Sequence, residues 1–420
     1  MDNEKKSRFG YNELLLLCFS ILFVLAILFI IDKILSFHLV RSFLLNYHGK
    51  IALIFPPHSQ EEFITTDFHY TVQTNSIGIR DKEISIPKRN DTFRILVFGD
   101  SYTYGWGVNI EQTWVRLLEK KLNVKRHKVE TVNLGKPGAD PWFYLELAQT
   151  AISILEPDLI LIGLLQGDDL LATCANNFQT RKPNPIPFVT YLYPNITQQI
   201  EKYILQYKLI QQSKQYSPLL NNADKNKQAS VNSAKEILSQ LNSDERTRFE
   251  QLDSDIRNAF LDGLINPFLI SVAVKYPDLI MNPLKESSDP SIKPCIDNLV
   301  KILQEIHLIA KKSGSPIIVI SVPQGFYVNQ HSLKTAERLH FKLSPEVLTS
   351  KNIDNHFQIA CQELQLPLIT LTDEFRAQKD NSALFFPIDG HLTAEGHKFF
   401  ADILSNKLQK WLDKNINTNE

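Results

Sequence analysis

The sequence predicts an α/β protein. The expected form is a three-layer α/β/α sandwich on a parallel five-stranded sheet, with an N-terminal transmembrane helix and a helical insertion. Three observations predict it. Apolar, β-prone runs recur at residues 93–98, 128–134, 158–164, 316–322 and 367–371, and helical patterns lie between them. That interleaving is the mark of parallel strands joined by helical crossovers. The run at 158–164 is apolar almost throughout rather than alternating, as a strand covered on both faces should be. The first of these runs ends abruptly in Gly99-Asp100-Ser101, which puts a serine hydroxyl where open α/β sheets place their sites.

Composition narrows the class. At 420 residues the chain has room for a large core, and 43% hydrophobic with 22% charged residues is ordinary for a globular protein. A net charge of −1 leaves no basic footprint for nucleic acid. Four cysteines without close spacing, and histidines without ligand spacing, give no metal site, so neither metal nor cofactor is expected. Cys174 and Cys295 can pair if the domain lies outside the cytoplasm, or remain free buried thiols.

Taken in order, residues 14–31 form an uncharged run of about 18 residues, the length that spans a bilayer as a helix. Lys5, Lys6 and Arg8 precede it, and Asp32 and Lys33 close it. That asymmetry favours a cytoplasmic N-terminus. No small-x-small cleavage site follows, and Cys18 lacks a lipoprotein context, so residues 1–35 read as an uncleaved single-pass anchor of the cytoplasmic membrane. The rest of the chain is then expected on the extracytoplasmic face.

Residues 36–90 read as a connector and lead-in, broken by Pro56, Pro57 and Pro87, with strand character at 70–74. Residues 75–80 read as a turn in which Gly78 supplies an unusual backbone angle. Arg80 is expected to be a buried salt-bridge residue rather than a ligand.

From residue 91 to 420 the chain reads as one large α/β domain. A helix is expected over 111–122, after the Ser101 loop. Residues 133–138, Asn133-Leu134-Gly135-Lys136-Pro137-Gly138, form a glycine-bearing loop after the second strand. A helix follows over 142–155, and the third strand ends in Gln166-Gly167-Asp168-Asp169. Residues 175–295 interrupt the pattern as a polar, helix-prone insertion, a cap or arm beside the third strand. Its stretch 221–233 is compatible with helix or with disorder. Near the C-terminus, Asp389-Gly390-His391 sits just before a last helix. Thr393 is its candidate N-cap, and Phe399, Phe400, Ile403, Leu404 and Leu408 are its packing face.

Serine becomes a nucleophile near neutral pH only with a base beside it, and the base needs a group that fixes its tautomer. Ser101, His391 and Asp389 supply those three types. The Ser101 and Gly138 amides are candidate donors to a developing oxyanion. His397, on the helix, is expected to be structural.

The combination of Gly99-Asp100-Ser101, Asn133-x-Gly135-x-x-Gly138, the loop after the third strand, and Asp389-Gly390-His391 resembles the SGNH (GDSL) hydrolase superfamily. The resemblance runs from about residue 71 to the end, without the insertion. It implies a flavodoxin-like sandwich, Ser101 as nucleophile, His391 as base, Asp389 as its orienting carboxylate, and Ser101, Gly138 and position 168 around the oxyanion. The anchor and the approach Thr74-Asn75-Ser76-x-Gly78-x-Arg80 are similar to those of bacterial members on the outer face of the cytoplasmic membrane. Two features depart from the family pattern. Asp168 stands where the family commonly has an asparagine whose amide donates to the oxyanion, and Gln166 is the one nearby amide that could substitute. One residue rather than two separates Asp389 from His391, a spacing that resembles membrane-linked polysaccharide O-acetyltransferases of the superfamily.

The resemblance implies a serine esterase removing acyl groups, acetyl among them, from a cell-envelope glycan or lipid. An O-acyltransferase acting on an envelope polysaccharide through the same site is the second expectation. A non-catalytic glycan-binding or scaffold member, with Asp168 as its signature, is the third. The acylated substrate and the membrane are the expected partners; the sequence leaves oligomeric state open.

Overall fold

The structure is a computed structural model that describes residues 11–35, 52–123, 128–174, 192–378 and 380–415. The chain divides into two compact units. Residues 1–49 and 179–211 form one, and residues 50–178 and 212–420 form the other.

The first unit contains the helix Tyr11–Ile34, with a mean hydropathy of 3.4 and none of its apolar window buried. It is long and apolar enough to cross a membrane. At its end the Asp32 carboxylate accepts hydrogen bonds from the Asn195 and Ile196 amides, at 2.8 and 2.9 Å. It thereby caps the helix Pro194–Ser213 from outside that helix. The Tyr193 hydroxyl donates to the Leu25 carbonyl at 3.3 Å.

In the second unit two strands, β1 (Gln60–Ile64) and β2 (His69–Gln73), form an antiparallel hairpin. The main sheet contains β3 (Thr92–Gly99), β4 (Lys128–Gly135) and β5 (Leu159–Leu165). A two-residue strand, β6 (Leu220–Asn221), pairs in parallel with β1. The last two strands, β7 (Ile317–Val322) and β8 (Leu368–Thr370), complete the main sheet. Its order is β4-β3-β5-β7-β8, and all its pairs are parallel.

Each predicted strand forms within a residue or two of the expected range, because β3, β5 and β7 are buried on both faces and their runs are apolar accordingly. Ile95, Val97, Leu159, Leu161, Ile318 and Ile320 share one core with helices Trp114–Leu122 and Ala394–Asn415, where Trp114 and Phe400 stack with ring centroids 4.7 Å apart. Helices Pro141–Leu155 and Lys293–Lys312 pack against each other, the former also lying on β3. The result is the expected three-layer sandwich, with the strand order 2-1-3-4-5 of flavodoxin-like sheets.

Local structure departs from the expectations in three places and decides between two open alternatives in a fourth, residues 221–233. The helix expected from residue 111 starts as a 3-10 turn over Ile110–Gln112, and the α-helix begins at Trp114 because Thr113 caps it, its hydroxyl accepting from the Arg116 amide. From residue 52 the lead-in is built into the second unit. Ile79, Arg80 and Asp81 are buried, and Gly78 has the positive φ of 67° that its turn requires. Residues 221–233 are ordered, most of them in the helix Ala223–Gln240, whose N-cap is Asn222. The insertion, finally, is not an appendage. Leu252, Ile256, Phe260, Ile270 and Val274 from its helices Ser254–Leu261 and Pro267–Lys275 and the segment before them join the same core as the sheet.

Of the two states left open for Cys174 and Cys295, the structure has the disulfide. It ties together the two ends of the insertion, and the adjacent Thr173 hydroxyl donates to the Cys295 carbonyl at 2.8 Å.

Candidate active site

The site forms where β3 ends. Asp100 caps a single helical turn, Ser101–Tyr104, its carboxylate accepting from the Tyr102 amide at 3.0 Å. Ser101 thus stands at the carboxyl end of β3, an interior strand of the sheet. Arg80 braces the turn from behind. It is 1% exposed, and its guanidinium donates to the Tyr104, Gly105 and Val108 carbonyls at 2.9, 2.8 and 2.5 Å. The expected salt bridge is therefore replaced by backbone carbonyls, sandwiched by cation–π contacts to Tyr70 and Tyr104. The role is structural.

The loop before the last helix brings its groups to the same place. His391 Nε2 lies 2.7 Å from Ser101 Oγ, and His391 Nδ1 lies 2.5 Å from Asp389 Oδ1. The other Asp389 oxygen accepts from Trp106 Nε1 at 3.3 Å. The Tyr102 hydroxyl donates to the Gly390 carbonyl at 2.9 Å, and its ring centroid lies 4.7 Å from that of His391. Residues far apart in the chain are thus assembled into one hydrogen-bonded series. With the carboxylate on Nδ1, the neutral imidazole presents Nε2 as the acceptor for the serine proton.

Electrostatics follow from the crowd of carboxylates. Burial works to lower the His391 pKa, but Asp389, supported by Asp100 and Asp168, raises it above the ordinary value. Burial pushes Asp100 and Asp168 up to about 6, against the favourable charge of His391. Asp168 opens onto the cavity beside Ser101, so water reaching it works against that rise, and surrounding protein sets its direction. Asp169 is raised well above the ordinary carboxylate value, by burial and then by Asp100. It is a structural group, taking hydrogen bonds from the Leu165 amide at 2.8 Å and the Tyr144 hydroxyl at 3.0 Å.

Gly138 lines the same cavity with a φ of 71°, and no atom lies within 4 Å of where its Cβ would stand. Among the described residues neither the Ser101 nor the Gly138 amide has a hydrogen-bond acceptor. Both are available to an oxygen in the cavity. Asp168 lines the cavity too and is held by the Gln324 side chain.

Gln166 does not substitute for an oxyanion asparagine. It is 0% exposed, and its amide donates to Ser321 Oγ, Asp354 Oδ1 and Thr372 Oγ1 at 3.2, 3.1 and 2.6 Å, which turns it away from Ser101. His397 is buried, accepts from the Trp114 amide at 3.2 Å, and burial drives its pKa down to about 3. It is structural, as its place on the helix suggests. Among the described residues no group of three His, Cys, Asp or Glu could hold a metal ion.

Sequence reasoning missed Asp67, in the turn between β1 and β2. One of its carboxylate oxygens accepts from both the Ile388 and Asp389 amides, each at 2.7 Å. Trp106 was also missed. Neither carries a local signal, since a turn aspartate and an aromatic residue are common in any chain. Asp67→Ala is expected to lower kcat about 10- to 100-fold through loss of the Asp389 loop's position, by analogy with other outer supports of a site. KM should change little, and Asp67→Asn, which keeps an acceptor, should recover most of the loss. Steady-state kinetics on both variants check this.

No family model matches the chain, and no curated protein matches it. Solved structures similar to it include the psychrotrophic esterase EstA from a Pseudoalteromonas species, at 12% identity and a TM-score of 0.36, covering 77% of this chain and 100% of that one. A lipase/acylhydrolase from Enterococcus faecalis is similar at 12% identity and a TM-score of 0.35, covering 76% and 96%. A member of the lipolytic G-D-S-L family from Veillonella parvula is similar at 11% identity and a TM-score of 0.32, covering 74% and 94%.

Proposed function

We propose that this chain, an α/β/α sandwich of the SGNH (GDSL) type, is a membrane-anchored serine ester hydrolase acting on acylated glycans or lipids of a cell envelope. The observation that carries the reading is the continuous Ser101–His391–Asp389 series, with contacts of 2.7 and 2.5 Å, opening onto a cavity of about 400 Å³.

In this reading His391 Nε2 takes the proton as Ser101 Oγ attacks the ester carbonyl carbon. Asp389 holds the imidazole's orientation and stabilises the imidazolium. The tetrahedral oxyanion sits against the Ser101 and Gly138 amides. It collapses with cleavage of the bond to the alcohol oxygen, and His391 returns its proton to that alcohol. Water then attacks the acyl-enzyme, His391 takes a proton from it, and the carboxylic acid leaves as Ser101 recovers its hydrogen. A sugar hydroxyl in place of that water would make the same site an O-acyltransferase. The two readings separate by product, acid or new ester.

Two features support an extracytoplasmic domain. The basic residues Lys5, Lys6 and Arg8 precede the apolar helix. The Cys174–Cys295 disulfide belongs in an oxidising compartment. The assembled series weighs against the binding-protein reading.

The test is labelling of the detergent-solubilised full chain with a fluorophosphonate probe, beside Ser101→Ala. Labelling of the native chain and none of the variant is expected. A folded native chain that stays unlabelled would overturn the covalent mechanism.

A further inference from the structure

The cavity beside Ser101 is chemically divided. All but one of its titratable carboxylate and imidazole groups, Asp100, Asp168, Asp169, Asp389 and His391, belong to the residues around the serine and the carboxyl ends of β3 and β5; the other, Asp140, caps the helix Pro141–Leu155. Much of the remaining lining is hydrocarbon, including Leu171, Leu269, Val272, Ile280, Phe326 and Phe341. Ile280 and Phe341 are buried, and the Phe326 and Phe341 rings lie 6.0 Å apart. Among the described residues that line it there is no lysine or arginine, and outside the Ser101 cluster their polar side chains are Asp140, Asn266 and Gln324, besides the tyrosines. Gln324 is engaged with Asp168.

Leu269 and Val272 lie on the insertion helix Pro267–Lys275, and Ile280 on the following 3-10 helix Leu279–Leu284. The insertion therefore supplies mostly apolar wall to the cavity, together with Asn266, whose side-chain oxygen is taken up in capping that helix. The volume of about 400 Å³ exceeds what an acetyl group fills. At roughly the 30 Å³ that a water takes in the liquid, a value near that of a methylene, it holds about a dozen such groups.

We propose that this cavity is an acyl-chain pocket, and that the substrate is an ester of a medium-length fatty acid, about six to ten carbons, rather than an acetyl ester. The inference rests on the serine hydrolase reading above and narrows it. The acyl arm is the one assigned to the pocket because it stays bonded to Ser101 through both steps, whereas the alcohol must depart after the first. A pocket walled by hydrocarbon suits a chain ending in a methyl group, and leaves the glycan or lipid alcohol outside.

The test uses the full chain in lipid nanodiscs with p-nitrophenyl esters from acetyl to tetradecanoyl, and a converse series of acetates of lengthening alcohols. Each buried methylene is worth about fourfold in kcat/KM, so octanoyl should exceed acetyl by about 100-fold or more, with a decline once the pocket is full. Val272→Trp should cut the octanoyl-to-acetyl ratio at least about tenfold by filling the pocket. Phe326→Ala should move the optimum to longer chains, a change in the opposite direction that misfolding does not mimic.

Acetyl cleaved as fast as octanoyl, by a chain whose Ser101 reacts with a small fluorophosphonate, overturns the acyl pocket and leaves the hydrolase reading standing. A rate that follows the alcohol chain instead of the acyl chain overturns the assignment of the arm. Failure of Ser101 to label in the folded native chain overturns both readings together.

Discussion

Ser101→Ala is expected to lower kcat for ester cleavage by about 10⁴-fold or more, and His391→Ala by a similar factor. Both side chains belong to one hydrogen-bonded series with contacts of 2.7 and 2.5 Å, so removing either one removes activation of the nucleophile. The double variant should therefore be hardly slower than either single one, because groups that act as a unit are not additive. A residual rate above the uncatalysed reaction would report what binding and the backbone amides supply alone. Ser101 is outside the principal core, so the thermal unfolding midpoint of Ser101→Ala should stay close to the native value, whereas His391→Ala also removes a ring packed on the core residue Tyr102 and should lower it modestly. Steady-state kinetics with thermal melts of all three variants check the expectation. A Ser101→Ala chain with native turnover would remove the covalent mechanism.

Asp168→Asn is expected to act in the opposite direction, and most strongly at alkaline pH. An ionised carboxylate in the cavity opposes a developing oxyanion, whereas a neutral acid or an amide can donate to it. Burial pushes Asp168 up to about 6, so below that pH it is mainly neutral and above it mainly ionised. His391 has the reverse requirement. As base it must be neutral, and its pKa is raised above the ordinary histidine value by Asp389, Asp100 and Asp168 against the effect of burial.

The productive form of the native enzyme, with Asp168 protonated and His391 unprotonated, is thus a minority at every pH. Its kcat/KM should trace a bell. Asp168→Asn should therefore raise kcat/KM most at alkaline pH, abolish the alkaline fall attributable to Asp168, and move the acidic limb to lower pH because His391 loses one negative neighbour. A pH–rate profile of both proteins is the measurement. Superimposable profiles would place the oxyanion away from position 168.

Much of the sandwich was legible because its cause is local. The residues of β5, Leu159–Leu165, are all buried, and an apolar run bounded by loop residues already says so. The last helix was legible for the same reason, since Phe400, Leu404 and Leu408 recur at helical spacing and all enter the core. Ser101 and Gly138 could be placed in loops after strands, and Asp389 and His391 in the loop before the last helix, but that Ser101, His391 and Asp389 meet was not readable from the sequence. The roles of Arg80 and Gln166 were not. A guanidinium or an amide can serve carbonyls, carboxylates or a substrate equally well, and only the atoms within reach decide which. Arg80 meets three carbonyls of the turn after Ser101, and Gln166 meets Ser321, Asp354 and Thr372.

By itself the sequence determined where strands, helices and the long apolar helix lie and which chemical groups stand at the strand ends, because hydrophobic period and turn chemistry act over a few neighbouring residues. Tertiary structure alone decided what those groups meet. It set Asp67 under the Asp389 loop, lined the cavity with Leu269 and Val272 from the insertion, and surrounded Asp168 with enough protein to raise its pKa. Those outcomes depend on distance and burial between segments remote in the chain, and nothing in a local pattern encodes them.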